Sequence, residues 1–205
     1  HLNKKWILTN KQLKSVKDLI INFINDFFIK NPYETSINKK VINNQLDIQI
    51  DFIDYLLMKL SEDKKIKKQD SGWVISSHQI NLSKEEKKLK DMILNILDNE
   101  IFNTSSVEEL GLKCKTSDYK LIINMLKMCE SKKLIIRINQ NLFITSSNMI
   151  TLKNKLINFF KNKNSINVSE FKDLINSSRK YAIPILEYLD KIKFTYRDDN
   201  ERKLF

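Results

Sequence analysis

Two glycines and two prolines are all that 205 residues contain. Glycine supplies backbone conformations that side chains exclude, so folds built on obligatory glycine turns lose their footing here. A doubly wound dinucleotide-binding sheet, a phosphate-cradling loop or a large β-sandwich all fall in that group. Neither GxxxxGK[ST] nor GxGxxG occurs, so nucleotide binding by those routes is excluded. Sparse breakers combined with abundant Lys, Leu, Ile and Glu point instead to helices.

Apolar spacing then gives the organisation. Leu13, Val16, Leu19, Ile20, Phe23, Ile24, Phe27 and Phe28 fall at three-and-four spacing, a wide stripe of one helix that Asn31-Pro32 stops. A shorter segment near Asn38 to Leu46 follows, then a helix carrying Ile50, Ile53, Leu57 and Leu60. The period changes at Ile66 to Gln69, a turn at Asp70-Ser71-Gly72, and Trp73-Val74-Ile75, which read as a short hairpin.

The same order returns twice. Leu89, Met92, Ile93, Ile96 and Leu97 follow Ser83, whose spacing to Glu86 fits a capping box. A short helix near Val107 to Leu112, a face of Ile122, Leu126 and Cys129, and a hairpin of Leu134 to Ile138 with Leu142 to Ile144 complete the second unit. In the third, Leu152, Leu156, Phe159 and Phe160 mark a helix, Val168 to Ile175 a short one and Ser178 to Lys191 a long one. Lys193 to Arg197 and Arg202 to Phe205 then flank the Asp198-Asp199-Asn200-Glu201 turn.

Helix, short helix, helix and two-stranded wing make a helix-turn-helix with an appended hairpin. The expected fold is mostly α with small β-hairpins, as three tandem winged-helix modules over residues 1–80, 81–147 and 148–205. Each repeat of about 60–70 residues is near the lower limit for a self-sufficient core, so each should lean on its neighbour. Lysines precede each hairpin (Lys64-Lys65, Lys132-Lys133, Lys191), where they suit the negative end of a helix dipole.

Lys and Arg outnumber Asp and Glu by 36 to 25, a formal charge of +11. That balance favours a polyanionic partner, although a chain crowded with Lys, Asn and Ile also fits an AT-rich coding sequence. Cys114 and Cys129 suit neither a disulfide framework nor a zinc spacing, so a reducing, cytoplasmic setting is the default. No apolar run approaches the roughly 20 residues of a bilayer span, and no membrane association is expected. His1 opens the chain without Met or signal sequence, and we expect a C-terminal piece of a longer cytosolic protein.

Catalysis finds little material. His78 falls in what reads as a linker and His1 is terminal, so no His-based metal cluster or Ser-His-Asp arrangement can be assembled. Glu85-Glu86 and Glu108-Glu109 read as solvated helix faces. Cys129 shares the face of Ile122 and Leu126 and reads as core. No catalytic residue, metal site or cofactor is expected.

The third module carries the distinctive polar chemistry. Ser177-Ser178-Arg179-Lys180-Tyr181 places an N-cap serine before two cations in a helix's first turn. Helix N-termini attract phosphate and full charges reinforce them. Cations there run against the dipole preference, which suggests a ligand, the alternative being ordinary solvated surface. Arg197 and Arg202 flank the wing turn. Paired across it they would project from one face, roughly 5 Å apart at Cβ, and would repel unless an anion lay between them. Pro184 removes a hydrogen bond to the Lys180 carbonyl and should bend or loosen the helix.

Phe171-Lys172-Asp173-Leu174-Ile175, Ser178 to Asp190, Phe194-Thr195-Tyr196-Arg197 and Arg202 together resemble the last winged-helix module of SelB, the bacterial selenocysteine-specific translation elongation factor. The stretch from Gly72 to His78 leading into Leu82-Ser83 resembles the link between that family's second and third modules. The resemblance implies an absent N-terminal part that binds GTP and delivers selenocysteyl-tRNA to the ribosome. It implies four C-terminal winged helices, of which this chain would hold the last three, binding an mRNA stem-loop, the SECIS element, at a recoded UGA. By position it assigns the RNA contacts to Ser178, Arg179, Lys180, Tyr181, Arg197, Arg202 and Lys172. Two departures stand out: Tyr196 replaces a second basic residue, and the wing turn lacks its usual Gly. Asn and Asp tolerate left-handed geometry, so the turn survives, while Asp198 and Asp199 would oppose a phosphate.

An A-form stem hides its bases, so a compact protein reads backbone shape and whatever bases are splayed from loop or bulge. Backbone clamping by Arg179, Lys180 and Arg202, with one or two loop bases read on the same face, is the expected mode for a monomer. Tyr181 has two readings, a stacking platform or a core residue. A winged-helix DNA-binding regulator and a protein-docking scaffold are the rival classes. Asp51 and Asp54 on the first module's third helix suit a major groove poorly.

Overall fold

The computed structural model describes residues 7–205; His1 lies outside the described residues. The chain divides into two compact units, residues 1–81 and 82–205.

The first unit contains α1 (Asn10–Lys30), α2 (Lys39–Leu46), α3 (Ile50–Glu62) and a hairpin of β1 (Ile66–Gln69) and β2 (Gly72–Ile75). Thr9 and Gln12 close a capping box at the start of α1. Ile20, Ile24 and Phe28 of α1, Ile42 of α2, Ile53, Leu56, Leu57 and Leu60 of α3, and Ile66 and Val74 of the hairpin form one core. Burial of each such side chain contributes about 1.5–3 kcal/mol. Ile37 bridges Trp73 just ahead of α2. Gly72 sits under that bridge, where a Cβ would meet the Ile37 carbonyl oxygen at 2.6 Å. His78, expected in a linker, stacks on Phe28 with ring centroids 4.0 Å apart.

The second unit runs α4 (Lys84–Glu100), α5 (Val107–Cys114), α6 (Tyr119–Ser131), β3 (Ile135–Arg137), β4 (Phe143–Thr145), α7 (Ser146–Phe160), β5 (Ile166–Asn167), α8 (Val168–Leu174), α9 (Arg179–Lys191), β6 (Thr195–Asp198) and β7 (Glu201–Leu204). The winged-helix order therefore occurs three times along the chain. Ser83 and Glu86 form the anticipated capping box, and Ser106 with Glu109 and Asn167 with Glu170 form two more.

Sequence spacing places a boundary near residues 147–148. The structure puts that point inside α7, because Thr145 ends β4 and its hydroxyl also caps α7 by accepting from the Asn148 N–H. No linker separates the second wing from the third module's first helix. The two modules also share packing: Phe102 after α4 and Leu142 and Ile144 of the wing region join a core with Leu152, Leu156, Phe171, Ile185, Leu186 and Leu189. Asp98 of α4 accepts from the hydroxyls of Thr145 and Ser147, both at 2.8 Å.

The scarcity of glycine is resolved by other residues. Among the described residues no glycine has positive φ, while nine other residues do. Lys64, Lys133 and Lys193 are in the left-handed region at φ 56°, 58° and 57°. Each ends the long helix before a wing with the same pair of bonds. In the third module the Lys193 N–H donates to the Asp190 carbonyl and the Phe194 N–H to the Leu189 carbonyl. This is the Schellman closure, usually a glycine's position. The lysines before each hairpin thus set the chain reversal as well as complementing the dipole. Gly111 meets a different need, since a Cβ there would lie 2.6 Å from the Tyr119 ring.

Candidate nucleic-acid interface

The turn from α8 into α9 is shaped by Asn176, left-handed at φ 49°, with the Ser177 N–H donating to the Lys172 carbonyl at 3.0 Å. A residue from the second module grips this turn. The Asn103 amide donates to the Asn176 carbonyl at 3.3 Å, and the Ser177 hydroxyl donates to the Asn103 Oδ1 at 2.5 Å. The start of α9 is thereby held against the segment that follows α4. Sequence reasoning missed Asn103, since a lone asparagine after a helix carries no signal of a partner 73 residues away.

At the start of α9, Ser178 occupies the N-cap position with extended backbone, but its side chain makes no capping hydrogen bond. The Tyr181 and Ala182 N–H groups both donate to the Ser178 carbonyl. This leaves the Arg179 and Lys180 N–H groups without intrahelical partners, as the opening of any helix does. Arg179 and Lys180 are exposed, and no ion pair to either occurs among the described residues. Lys180 instead lies over the Tyr181 ring, with Nζ 5.1 Å from its centroid. Open backbone donors, the positive end of a 13-residue helix and two uncompensated cations converge at one point, a ready anion site. Pro184 does not interrupt α9, which continues to Lys191.

Other expected contacts fall differently. Tyr181 is half-buried and packs against the third module's core. Lys172 is half-buried and lies 3.1 Å from the Asp173 carboxylate. In the wing, Arg197 and Arg202 are directly opposed, as anticipated, but they do not project together. Arg202 is only 6% exposed, and its Nε lies 3.4 Å from Asp190 Oδ2 at the end of α9. The anion that relieves the arginine pair is a carboxylate of the protein. The same carboxylate accepts from the Thr195 hydroxyl at 2.6 Å. The expectation of Arg202 as an exposed phosphate clamp is therefore corrected: it fastens β7 to α9.

Arg197 remains exposed, its Nε donating to the Asp199 carbonyl at 2.8 Å. Asp198 pairs with Lys203 at 2.6 Å. That bond and the carboxylate's charge raise the Lys203 pKa above its ordinary value. The pairing reduces the repulsion that Asp198 would offer a phosphate. Tyr196 is exposed and meets Phe205 edge-on at 6.3 Å. Cys129, read as core, is fully buried, and burial pushes its thiol up to about 11, which leaves it a poor nucleophile.

The stretch that holds this site is also the one that matches a known family. Residues 158–204 match the sequence profile described as "Elongation factor SelB, winged helix". The third module is similar to the SelB winged helix. Over 98 residues the chain is 29% identical to the selenocysteine-specific elongation factor of Desulfomicrobium baculatum, a match covering 48% of this chain and 15% of that protein. Among solved structures, the mRNA-binding domain of elongation factor SelB from E. coli, in complex with SECIS RNA, is similar at 22% identity. That match has a TM-score of 0.52 and covers 60% of this chain and 98% of that one. The bacterial selenocysteine-specific elongation factor EF-Sec is similar at 21% identity and TM-score 0.52, covering all of this chain and 31% of that one. The match thus spans 15% of the Desulfomicrobium baculatum protein and about a third of the EF-Sec chain, and at these identities the structural likeness speaks to fold. Among the described residues no helix is long and apolar enough to cross a membrane.

Proposed function

We propose that this chain is the mRNA-binding arm of a selenocysteine-specific elongation factor, and that its third module grips an mRNA stem-loop of the SECIS type. The observation that carries this is the start of α9, where Arg179 and Lys180 stand exposed and unpaired beside open backbone N–H groups. In this reading Arg179, Lys180 and those N–H groups hold stem phosphates, with Ser178 adding a hydroxyl and Arg197 reaching the backbone from the wing. Lys172 contributes at the edge. Arg202 acts indirectly, by holding the wing against α9. The GTP-binding and selenocysteyl-tRNA-binding parts, and contact with the ribosome, belong to the rest of the factor, which works in the cytoplasm. The fragment itself is a monomeric, non-catalytic tether.

Titration of the chain against a stem-loop RNA and a duplex DNA of equal charge, at two salt concentrations, tests the reading. RNA should bind more tightly at both, with affinity falling steeply with salt. Equal affinity for the two ligands would sink it.

A further inference from the structure

The helices α6 and α9 are each 13 residues long, and their first residues, Tyr119 and Arg179, hold equivalent places in the repeated unit. Position by position, their exposed faces differ. Where α9 has the N-cap Ser178, α6 has Asp118, whose carboxylate accepts from the Leu121 N–H. Where α9 begins with Arg179, α6 begins with Tyr119, whose ring lies so close to Gly111 of α5 that a Cβ there would meet it at 2.6 Å. Lys120 keeps the charge of Lys180, and Lys127 stands in the place of Glu187. The resulting face combines two kinds of side chain. Leu112 is 75% exposed, Tyr119 42% and Ile123 39%. Leu112 follows the glycine on which Tyr119 rests, and Ile123 lies one helical turn beyond Tyr119. Lys115, Lys120 and Lys127 are exposed around them, and no ion pair to any of the three occurs among the described residues.

We infer that this face docks an acidic amphipathic helix of a protein partner. Apolar side chains of the partner cover Leu112, Tyr119 and Ile123, and its carboxylates pair with Lys115, Lys120 and Lys127. The inference goes beyond RNA binding and uses none of the α9 contacts. Single exposed apolar side chains are ordinary on a protein surface, but adjoining ones gain from being covered. A phosphate backbone would set charged oxygens against them. The Asp118 carboxylate also closes to phosphate the helix end that α9 leaves open. Charge complementarity selects the partner: three unpaired cations around an apolar centre call for carboxylates flanking an apolar stripe, the pattern of a helix that docks by one face. From Tyr119 to Lys127 the face runs about 12 Å, roughly two helical turns. Glu108, exposed one turn before Leu112, repels a carboxylate and bounds the face on α5. The corresponding face of α3 exposes Ile50 and Met58 but has Asp51 where α6 has Lys120, and it offers such a partner no complement.

The test titrates the whole 205-residue chain against a fluorescent synthetic helix with Leu at three-and-four spacing and Glu at the flanking positions, followed by anisotropy. This peptide should bind, while one of the same composition in scrambled order, and one with Lys in place of every Glu, should not. Leu112→Ser and Ile123→Ser change exposed positions and should leave thermal unfolding unaltered. Each should weaken the Glu peptide by roughly tenfold, the loss expected when one apolar side chain is no longer covered. Lys120→Glu combined with Lys127→Glu should abolish binding of the Glu peptide and create binding of the Lys peptide, a reversal that damage to the fold does not produce. Arg179→Ala, which weakens RNA in the reading above, should leave the peptide's affinity unchanged. Failure of the Glu peptide to bind, equal binding of the scrambled peptide, or affinity indifferent to these substitutions on α5 and α6 would overturn the docking face. So would displacement of the peptide by a stem-loop RNA from the native chain and from Arg179→Ala alike, which would assign the face to nucleic acid.

Discussion

The helices α3 and α9 occupy the same place in the repeated unit and begin in opposite ways. After Ile50, α3 opens with Asp51, an acid in its first turn, and Asp54 is tied to Lys39 at 2.8 Å. α9 opens with Arg179 and Lys180 and has no acid in its first turn. The middle equivalent, α6, is capped by Asp118, whose carboxylate accepts from the Leu121 N–H at 2.9 Å. In α3 and α6 the positive end of the helix is answered by the protein's own carboxylates, as dipole energetics favour. In α9 it is left open. One fold thus yields two helices whose first turn or cap carries an acid and one without, and the difference rests on three or four residues at the cap.

The contrast makes predictions, beginning with the strongest. Asp190→Ala strands the buried Arg202 guanidinium and loses the Thr195 bond, so the second unit should lose about 3 kcal/mol in denaturant unfolding. Arg202→Met should destabilise less and leave the salt dependence of RNA binding unchanged; a reduced salt slope would return Arg202 to the contact surface. Arg179→Ala and Lys180→Ala should each weaken stem-loop binding by about 1–3 kcal/mol and flatten the log–log salt slope by about one unit, with folding intact. Asp51→Ala in α3 should leave RNA affinity unaltered, and a change there would erase the distinction between the helices.

Ser178→Asp rewrites α9 in the style of α6. A carboxylate cap should stabilise the helix by about 0.5–1 kcal/mol while weakening RNA binding, opposite signs in calorimetry and titration. Smallest of the stability changes, Lys133→Gly at the second module's helix end should add about 0.5 kcal/mol, because glycine accepts the left-handed backbone without penalty. A pH titration complements these. Hydrogen bonds from Ser147 and Thr145 hold the Asp98 carboxyl below its ordinary 3.8. A folded-state pKa below the unfolded one contributes stability that is fully present above 3.8 and lost as pH falls through the folded value. Acid unfolding of the native chain should therefore steepen below about pH 3.8 relative to Asp98→Asn.

Much of the architecture was legible from spacing alone. Stripes at three-and-four periodicity located every long helix, and the change of period at Ile66, Leu134 and Lys193 located the wings. What escaped were features that depend on residues far apart. β5 is only Ile166–Asn167 and exists by pairing with Arg202 and Glu201, too short for any alternation to show. The position of Arg202 was readable as a cross-strand partner of Arg197, yet its burial is decided by Asp190 on another element. Ser178, Arg179 and Lys180 were visible because an N-cap and its first turn are contiguous in sequence. Asn103 was not, since only the shared core between the modules brings it to α9.

That shared core has a mechanical meaning. Thr145 closes one module's wing and opens the next module's helix in a single residue, and Phe102 is bolted into the neighbouring core. With no spare residue to act as a swivel, the second and third modules form a gauge block of fixed length. Whatever seizes the α9 end is presented to α4 at a set distance and a set angle. Under the proposed function, such a block would measure as well as grip.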